Sequence, residues 1–187
     1  SPSAQAPAHT LPRTPDGQPD VQGFWANRAP QMTTLSIEGG AAEHLLLTGL
    51  KADHISVIVD PPDGKVPYQP WAAAKRQEIQ DNYKNPKPEH VDPMARCFLV
   101  GVPRMNYQSQ FQILQPPGYV LIIYELMHAY RVIPLDDRPD LGEDVKLWMG
   151  NSRGRWEGNT LVVDSKGYTD KTWFDLVGHF HSDALRA

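Results

Sequence analysis

Two histidines separated by one residue, His179 and His181, have the spacing in this chain that best fits metal chemistry. Residues i and i+2 lie on one face of a β-strand, so the two imidazoles would point the same way. His128, in a long apolar and aromatic run, is a candidate third ligand. Three protein ligands with an open fourth position suit zinc or copper, which would activate water or bind an oxygen-containing substrate. His128, His179 and His181 are therefore the candidate metal ligands.

The run from Tyr119 to Ile133 suggests a second kind of site, a small-molecule pocket. On an extended strand, one face would carry Val120, Ile122, Tyr124, Leu126, His128, Tyr130 and Val132. If this face points inward, Tyr124, His128 and Tyr130 place polar groups among aliphatic walls, as ligand pockets do. The alternative is a plain core, in which the tyrosine hydroxyls bond to the backbone and His128 is a buried, hydrogen-bonded histidine.

Arg104 is the fourth pocket candidate. It follows the Gly101-Val-Pro turn, and an arginine fixed on a turn can hold a carboxylate through two parallel hydrogen bonds. Pairing with an acidic residue of a neighbouring loop is the structural alternative. The single cysteine, Cys97, excludes an internal disulfide, and its apolar segment predicts a buried and inert thiol.

Antiparallel strands are the elements that must position these residues. Ser109–Gln115 alternates polar and apolar residues, and Pro116-Pro-Gly118 turns it into the long run, which predicts a hairpin. A straight strand of that length would reach about 50 Å, so we expect a bend near Glu125–Met127. A turn at Gly158-Asn159 introduces a further strand, and Asn151–Arg155 reads as a solvated loop.

The remaining chain predicts one helix and one domain. Strong helix formers indicate a helix at about 71–83, with Trp71, Ala72, Lys75 and Ile79 near one face. His54–Val59 predicts a strand, and Ala41–Leu47 fits either a short helix or a turn and strand. Five prolines in residues 1–20 predict an extended arm, so a single domain would span 21–187 and begin with buried aromatics at Phe24 and Trp25.

Charge and hydropathy narrow the function classes. The net charge of −4 and the dispersed basic residues argue against nucleic acid as a partner. The long run is interrupted by Glu125, His128 and Arg131, so it does not fit a membrane span. The chain begins with Ser1, which suits an exported protein after removal of a signal peptide, or a trimmed product.

Several motifs resemble a group of uncharacterised exported bacterial proteins. They are Thr14-Pro-Asp-Gly-Gln-Pro-Asp-Val-Gln-Gly-Phe-Trp25, Val59-Asp-Pro-Pro-Asp-Gly-Lys-Val-Pro-Tyr68, Cys97 with Gly101-Val-Pro-Arg104, Phe111-Gln-Ile113, and Trp156-Glu-Gly-Asn-Thr-Leu-Val-Val-Asp164. The resemblance implies export and a β-rich fold but carries no catalytic residues. Its members continue past the segment at Phe180–Leu185, so the resemblance implies either a shortened member or a fragment whose remaining strands come from elsewhere. Gly23-Phe-Trp25 is also similar to the Gly-x-Trp of lipocalin-like barrels.

The sequence therefore predicts a mainly antiparallel β protein, a lipocalin-like barrel or curved sandwich, with one short helix and a periplasmic or secreted location. Its leading functional hypothesis is a binding or accessory protein that holds a small apolar ligand or docks on a larger extracytoplasmic assembly. One alternative is a metal-dependent or acid-base enzyme that uses the histidines in a β pocket. Another is a fragment that completes its fold with a partner chain.

Overall fold

Antiparallel strands account for most of the regular structure of the protein. The computed structural model describes residues 11–26, 36–39 and 56–187. The alternatives for Ala41–Leu47 and the first ten residues of the predicted arm lie outside these ranges. The prediction of a mainly β fold with one main helix is confirmed.

The strands form two antiparallel sheets. The first sheet has the spatial order β1-β2-β3-β4, with β1 Gly23–Trp25, β2 Phe111–Leu114, β3 Tyr119–Tyr124 and β4 Tyr130–Pro134. The second sheet is a hairpin of β5 Asn151–Glu157 and β6 Thr160–Lys166. The predicted turns at Pro116–Gly118 and Gly158-Asn159 are both confirmed. The described strands do not close into the expected barrel, because β1 and β4 are the two edges of an open sheet.

The main helix, α1, spans Pro70–Asp81, close to its predicted bounds. Its buried side chains are Ala72, Arg76 and Ile79, and Trp71 is exposed, in contrast to the predicted face. Ala72 and Ile79 pack against Trp173 and Phe180 rather than against a sheet. The shorter helices are α2 Arg104–Gln108 and the 3-10 turns Pro88–His90, Pro93–Arg96 and Leu126–His128. None of the helices in the described ranges is long and apolar enough to cross a membrane.

The predicted bend in the long run is the 3-10 turn Leu126–His128 between β3 and β4. Met127 and His128 adopt positive φ angles of 57° and 51°. The hydroxyl of Ser109 accepts a hydrogen bond from the Leu126 amide, which anchors the turn to the start of β2. The turn shifts the alternation of side chains by one residue. On β3, which precedes the turn, Tyr124 is buried. On β4, which follows the turn, Arg131 is buried and Tyr130 is exposed.

One face of the first sheet carries the core. Val100, Met105, Tyr124 and Ala129 form a buried cluster beneath β3 and the bend. The opposite face is exposed, so the prediction that Phe24 and Trp25 begin the core is wrong: Phe24 is 86 % exposed. Its cross-strand neighbours on β2 to β4 are Gln112, Ile123 and Tyr130.

Three local predictions also differ from the structure. Residues 56–59, the described part of the predicted strand His54–Val59, form no strand. The Ser56 hydroxyl donates to the carbonyls of Ile37 and Gly64, and such side-chain bonds compete with strand pairing. Asn151–Arg155 is not a loop but the first part of β5. Residues 11–20 form a turn closed by a bridge between Arg13 and Pro19 rather than an extended arm.

The hairpin lies close to β4 at Gly154. A Cβ atom built there would lie 2.7 Å from Cγ2 of Ile133 and 2.8 Å from Cδ2 of Leu135. Ile133 is fully buried and β-branched, so it has little freedom to move away. Glycine at this position therefore allows β5 to pack against β4.

We predict that Gly154→Ala destabilises the protein by about 1–3 kcal/mol, the usual cost of overpacking a tight contact. Urea unfolding measures the change. Gly142→Ala is the matched control, because nothing lies within 4 Å of a Cβ built there. Equal stability of the two variants would contradict the close approach.

Candidate binding cavity beside strand β4

An open cavity of about 440 Å³ lies between β4 and the segment that leads into β5. One side is the bend with the first part of β4, and the other is residues 147–152. The lining residues are Leu99, Met127, His128, Ala129, Tyr130, Arg131, Val132, Leu147, Trp148, Met149, Gly150, Asn151 and Ser152. Cavities of this size hold small organic ligands in many proteins.

The cavity walls are mainly apolar. Trp148 stacks on Phe98 with ring centroids 5.1 Å apart, and the two planes are inclined by only 11°. Phe98 is itself 41 % exposed and lies two residues after the 3-10 turn Pro93–Arg96. Leu99 and Met149 belong to the partly buried shell of the core cluster. The core therefore positions the part of the wall that Leu99 and Met149 form.

Two of the four predicted pocket residues line this cavity. His128 and Tyr130 do so, and both are exposed. Tyr124 does not line it, because its ring is buried in the core and its hydroxyl donates to Oδ1 of Asn106 at 2.6 Å. Tyr124 therefore follows the alternative stated for it, a core tyrosine with a satisfied hydroxyl.

Arg131 is the main charged residue of the cavity that the sequence did not single out. Only 6 % of it is exposed, and it lies on the buried face of β4. Its Nη2 donates to the hydroxyls of Ser152 and Ser165, at 3.0 Å and 2.8 Å. Burial raises the pKa of the Tyr124 hydroxyl, and the nearby charge of Arg131 acts against that rise.

Arg104, the fourth predicted pocket residue, lies in the interior and not in the cavity. Its Nη1 and Nη2 donate to the two carboxylate oxygens of Asp92, at 2.9 Å and 2.8 Å. Nε donates to Gln108, and Nη1 also reaches the carbonyl of Asp175 at 3.0 Å. The guanidinium is fully buried and its donors are used within the protein, so a bound carboxylate would have to displace Asp92.

His179 lies in a buried polar cluster with Asp175 and Glu38. Its Nδ1 is 2.5 Å from Oδ2 of Asp175, and its Nε2 is 3.4 Å from Oε2 of Glu38. Asp175 also accepts hydrogen bonds from the amides of Ile37, Val177 and His179. Burial on its own would raise the pKa of the Asp175 carboxyl, but these bonds outweigh it and hold the pKa below its usual range. The cluster joins residues 36–38 to the C-terminal segment.

Tyr68 and Arg76 border the same cluster. The Tyr68 ring stacks on His179 with planes inclined by 7°, and burial raises the pKa of its hydroxyl. Burial lowers the pKa of the Arg76 guanidinium, and the negative charge of Asp175 opposes this change. His179 is only 1 % exposed, so both of its ring nitrogens face protein groups rather than a ligand.

The three predicted metal ligands do not share a site. The His181 Nε2 lies 2.6 Å from the Thr172 hydroxyl and its Nδ1 lies 2.8 Å from the Ser182 carbonyl, while burial lowers the pKa of the ring. His128 lines the cavity. Within residues 11–26, 36–39 and 56–187, no three His, Cys, Asp or Glu side chains are arranged to hold a metal ion. The zinc or copper hypothesis therefore gains no support from this geometry.

Cys97 also differs from its prediction. It is exposed rather than buried, because it ends the 3-10 turn Pro93–Arg96 in a left-handed conformation with φ of 63°. Its amide donates to the Met94 carbonyl. The next residue, Phe98, is also exposed, and the chain becomes fully buried only at Val100.

The sequence analysis missed Arg131, Trp148 and Asp175. One signal was available for Arg131: it is the single basic residue in the long apolar run. Asp175 sits four residues before His179, a spacing that permits a local hydrogen bond. Trp148 carries no sequence signal, because its role depends on contacts between distant segments.

Comparison of the chain with protein-family models, with curated proteins and with solved structures finds no significant match in any of the three. The resemblance to exported bacterial proteins therefore remains a prediction.

We predict that Asp175→Asn lowers the free energy of unfolding at neutral pH by about 3–5 kcal/mol, because it breaks a buried ionic network. The carboxyl has a depressed pKa in the folded protein, so its stabilisation is present above about pH 4 and is lost as the pH falls further. Urea unfolding between neutral and acidic pH measures this.

The difference between wild type and Asp175→Asn should shrink towards acid. Asp137→Asn, which removes an exposed carboxylate, serves as the control. A difference that stays constant with pH would show that the charge of Asp175 has no role in stability.

Proposed function

We propose that this protein binds a small, largely apolar organic molecule in the cavity beside β4. The observation that carries the proposal is the composition of the cavity: apolar walls from Leu99, Trp148 and Met149, with polar groups contributed both by β4 and by residues 151 and 152. Such walls gain free energy by shielding an apolar ligand from water, and the polar groups orient it.

Binding without catalysis is favoured over the acid-base alternative by the positions of the histidines. A general base must reach the substrate and be oriented by a partner. His179 has an orienting carboxylate but is enclosed by protein, whereas His128 lines the cavity and has no acidic neighbour in its lining. Neither histidine therefore combines access to the cavity with an orienting carboxylate.

The family resemblance supports export, and we include a periplasmic or secreted location in the proposal. In that setting, the protein would act as a carrier or receptor for the ligand rather than convert it. The proposal requires only that the cavity accepts a ligand of suitable size.

Trp148→Ala should weaken the binding of naphthalenemethanol about tenfold, or ~1.4 kcal/mol, because it removes the largest apolar wall of the cavity. Isothermal titration calorimetry on wild type and variant measures the affinities. Trp71→Ala, on the exposed side of α1, is the matched control and should bind as wild type does. Equal binding by all three proteins would place the ligand elsewhere.

A specific observation favours docking on a protein as a second candidate function. The outer face of the first sheet carries no charged side chain on its four strands, and it is apolar apart from Gln112, with Phe24, Ile123, Tyr130 and Val132 exposed. Exposed apolar patches commonly mark interaction surfaces. An uncharged face meets no electrostatic barrier to its own copy, so the occupant we propose is a second copy of this chain, packed sheet against sheet.

We predict that the wild-type protein is a dimer in solution and that Phe24→Ser shifts it towards monomer, because serine removes the most exposed apolar side chain of the face. Light scattering coupled to size-exclusion chromatography measures the mass. Val59→Ser, at another highly exposed apolar residue outside the sheet, is the control. A wild-type monomer at high concentration would reject the dimer.

A further inference from the structure

Arg131 is a buried cation without a counter-ion in the described part of the protein. None of the ion pairs among those residues includes Arg131, although only 6 % of this residue is exposed. Arg104 shows the usual arrangement, since its buried guanidinium is paired with Asp92. Arginine does not lose its proton in proteins, so Arg131 cannot escape the cost of burial by becoming neutral.

The serine hydroxyls orient Arg131 but do not neutralise it. Ser152 and Ser165 face each other across the β5–β6 hairpin, and their hydroxyl oxygens are 2.9 Å apart. Both accept from Nη2 of Arg131, while its Nε has no hydrogen-bond partner in the described structure. Arg131 also hydrogen-bonds to the Tyr124 hydroxyl. These neutral hydroxyl groups hold the guanidinium in place without supplying a negative charge.

The surroundings of Arg131 contain no acidic side chain on the cavity side. It lines the cavity together with Ser152, and the other lining residues are apolar or neutral apart from the histidine His128. A fixed cation at one side of an apolar cavity favours a ligand with one anionic end. A carboxylate fits best, because its two oxygens match the planar fork of a guanidinium.

We propose that the ligand of this cavity is a carboxylic acid with an apolar body, and that Arg131 binds its carboxylate. This inference rests on the proposed function, because it assigns the chemical class of the ligand for the same cavity. In this arrangement the ligand supplies the missing counter-ion, Ser152 and Ser165 hold the guanidinium in place, and Trp148 covers the apolar body.

Matched pairs of probe ligands separate the contribution of the carboxylate charge to binding from the contribution of the apolar body. Naphthoate and naphthalenemethanol share an aromatic body, and octanoate and octanol share an aliphatic one. Calorimetry on the wild-type protein at low ionic strength should give at least tenfold tighter binding for the acid of a pair than for its alcohol. In Arg131→Met the preference should disappear, while binding of the alcohol changes less than threefold.

Arg155→Gln is the matched control. Arg155 lies on the same hairpin but is exposed and paired with Glu157 and Asp164, so its loss should leave the acid preference intact. Arg131→Lys keeps the charge without the planar fork, and should keep part of the preference. If Arg131→Met does not fold, the wild-type ratio and Arg131→Lys decide the question.

Thermal unfolding gives a readout that a purely structural role would not produce. Without ligand, Arg131→Met should unfold at the wild-type temperature or above it, because it removes an unpaired buried charge. Naphthoate should raise the unfolding temperature of the wild type more than that of the variant. Equal stabilisation of the wild type and the variant by naphthoate would show that Arg131 does not bind the carboxylate, and would overturn the inference.

The same titrations distinguish failure of the proposed function from failure of the carboxylate inference. If acid and alcohol bind the wild type equally well, the cavity binds ligands but Arg131 does not select carboxylates. If no member of either pair binds at millimolar concentration, both the proposed function and this inference fall.

Discussion

The buried pair of Arg104 and Asp92 is the interaction on which the rest of the structure depends. Much of the chain is irregular backbone, and irregular segments need side-chain partners to be held together. Arg104 joins α2 to the 3-10 turn at Pro93–Arg96 through Asp92, and to the C-terminal segment through the carbonyl of Asp175. Asp175 in turn fixes Ile37 and His179 by its own carboxylate. One guanidinium thus connects segments that no sheet connects.

The cavity follows from the way in which the hairpin meets β4. At Gly154 the two strands are close enough that a methyl group would collide with Ile133. Two residues before Gly154 in the sequence, at Ser152, the hairpin contacts β4 through the side chain of Arg131, which donates to the Ser152 hydroxyl. Residues 147–151 lie across the cavity from β4. The open space between them is the cavity. The Arg131–Ser152 hydrogen bond therefore lies at the edge of the cavity.

The hairpins, the helix and the bend could be predicted because each depends on residues that are neighbours in the sequence. The turn residues are Pro116–Gly118 and Gly158-Asn159, and the helix contains a run of alanines. The cavity was predictable only in part. His128 and Tyr130, two of the four predicted pocket residues, line it. The bend moved Arg131 to the buried face, because a shift of one residue exchanges all side chains between the two faces of a strand. The cavity side formed by residues 147–152 could not be inferred, because it depends on packing between segments distant in sequence. The same holds for Arg104, whose partner Asp92 belongs to another turn.

The positive φ angles of Met127 and His128 carry a consequence for laboratory evolution. Each such non-glycine residue costs of order 1–3 kcal/mol of backbone strain. A selection for heat resistance alone would therefore accumulate glycine or asparagine at these two positions, which border the cavity. Variants obtained in this way would gain stability by changing the lining of the cavity, and His128 would be among the first cavity side chains to be lost.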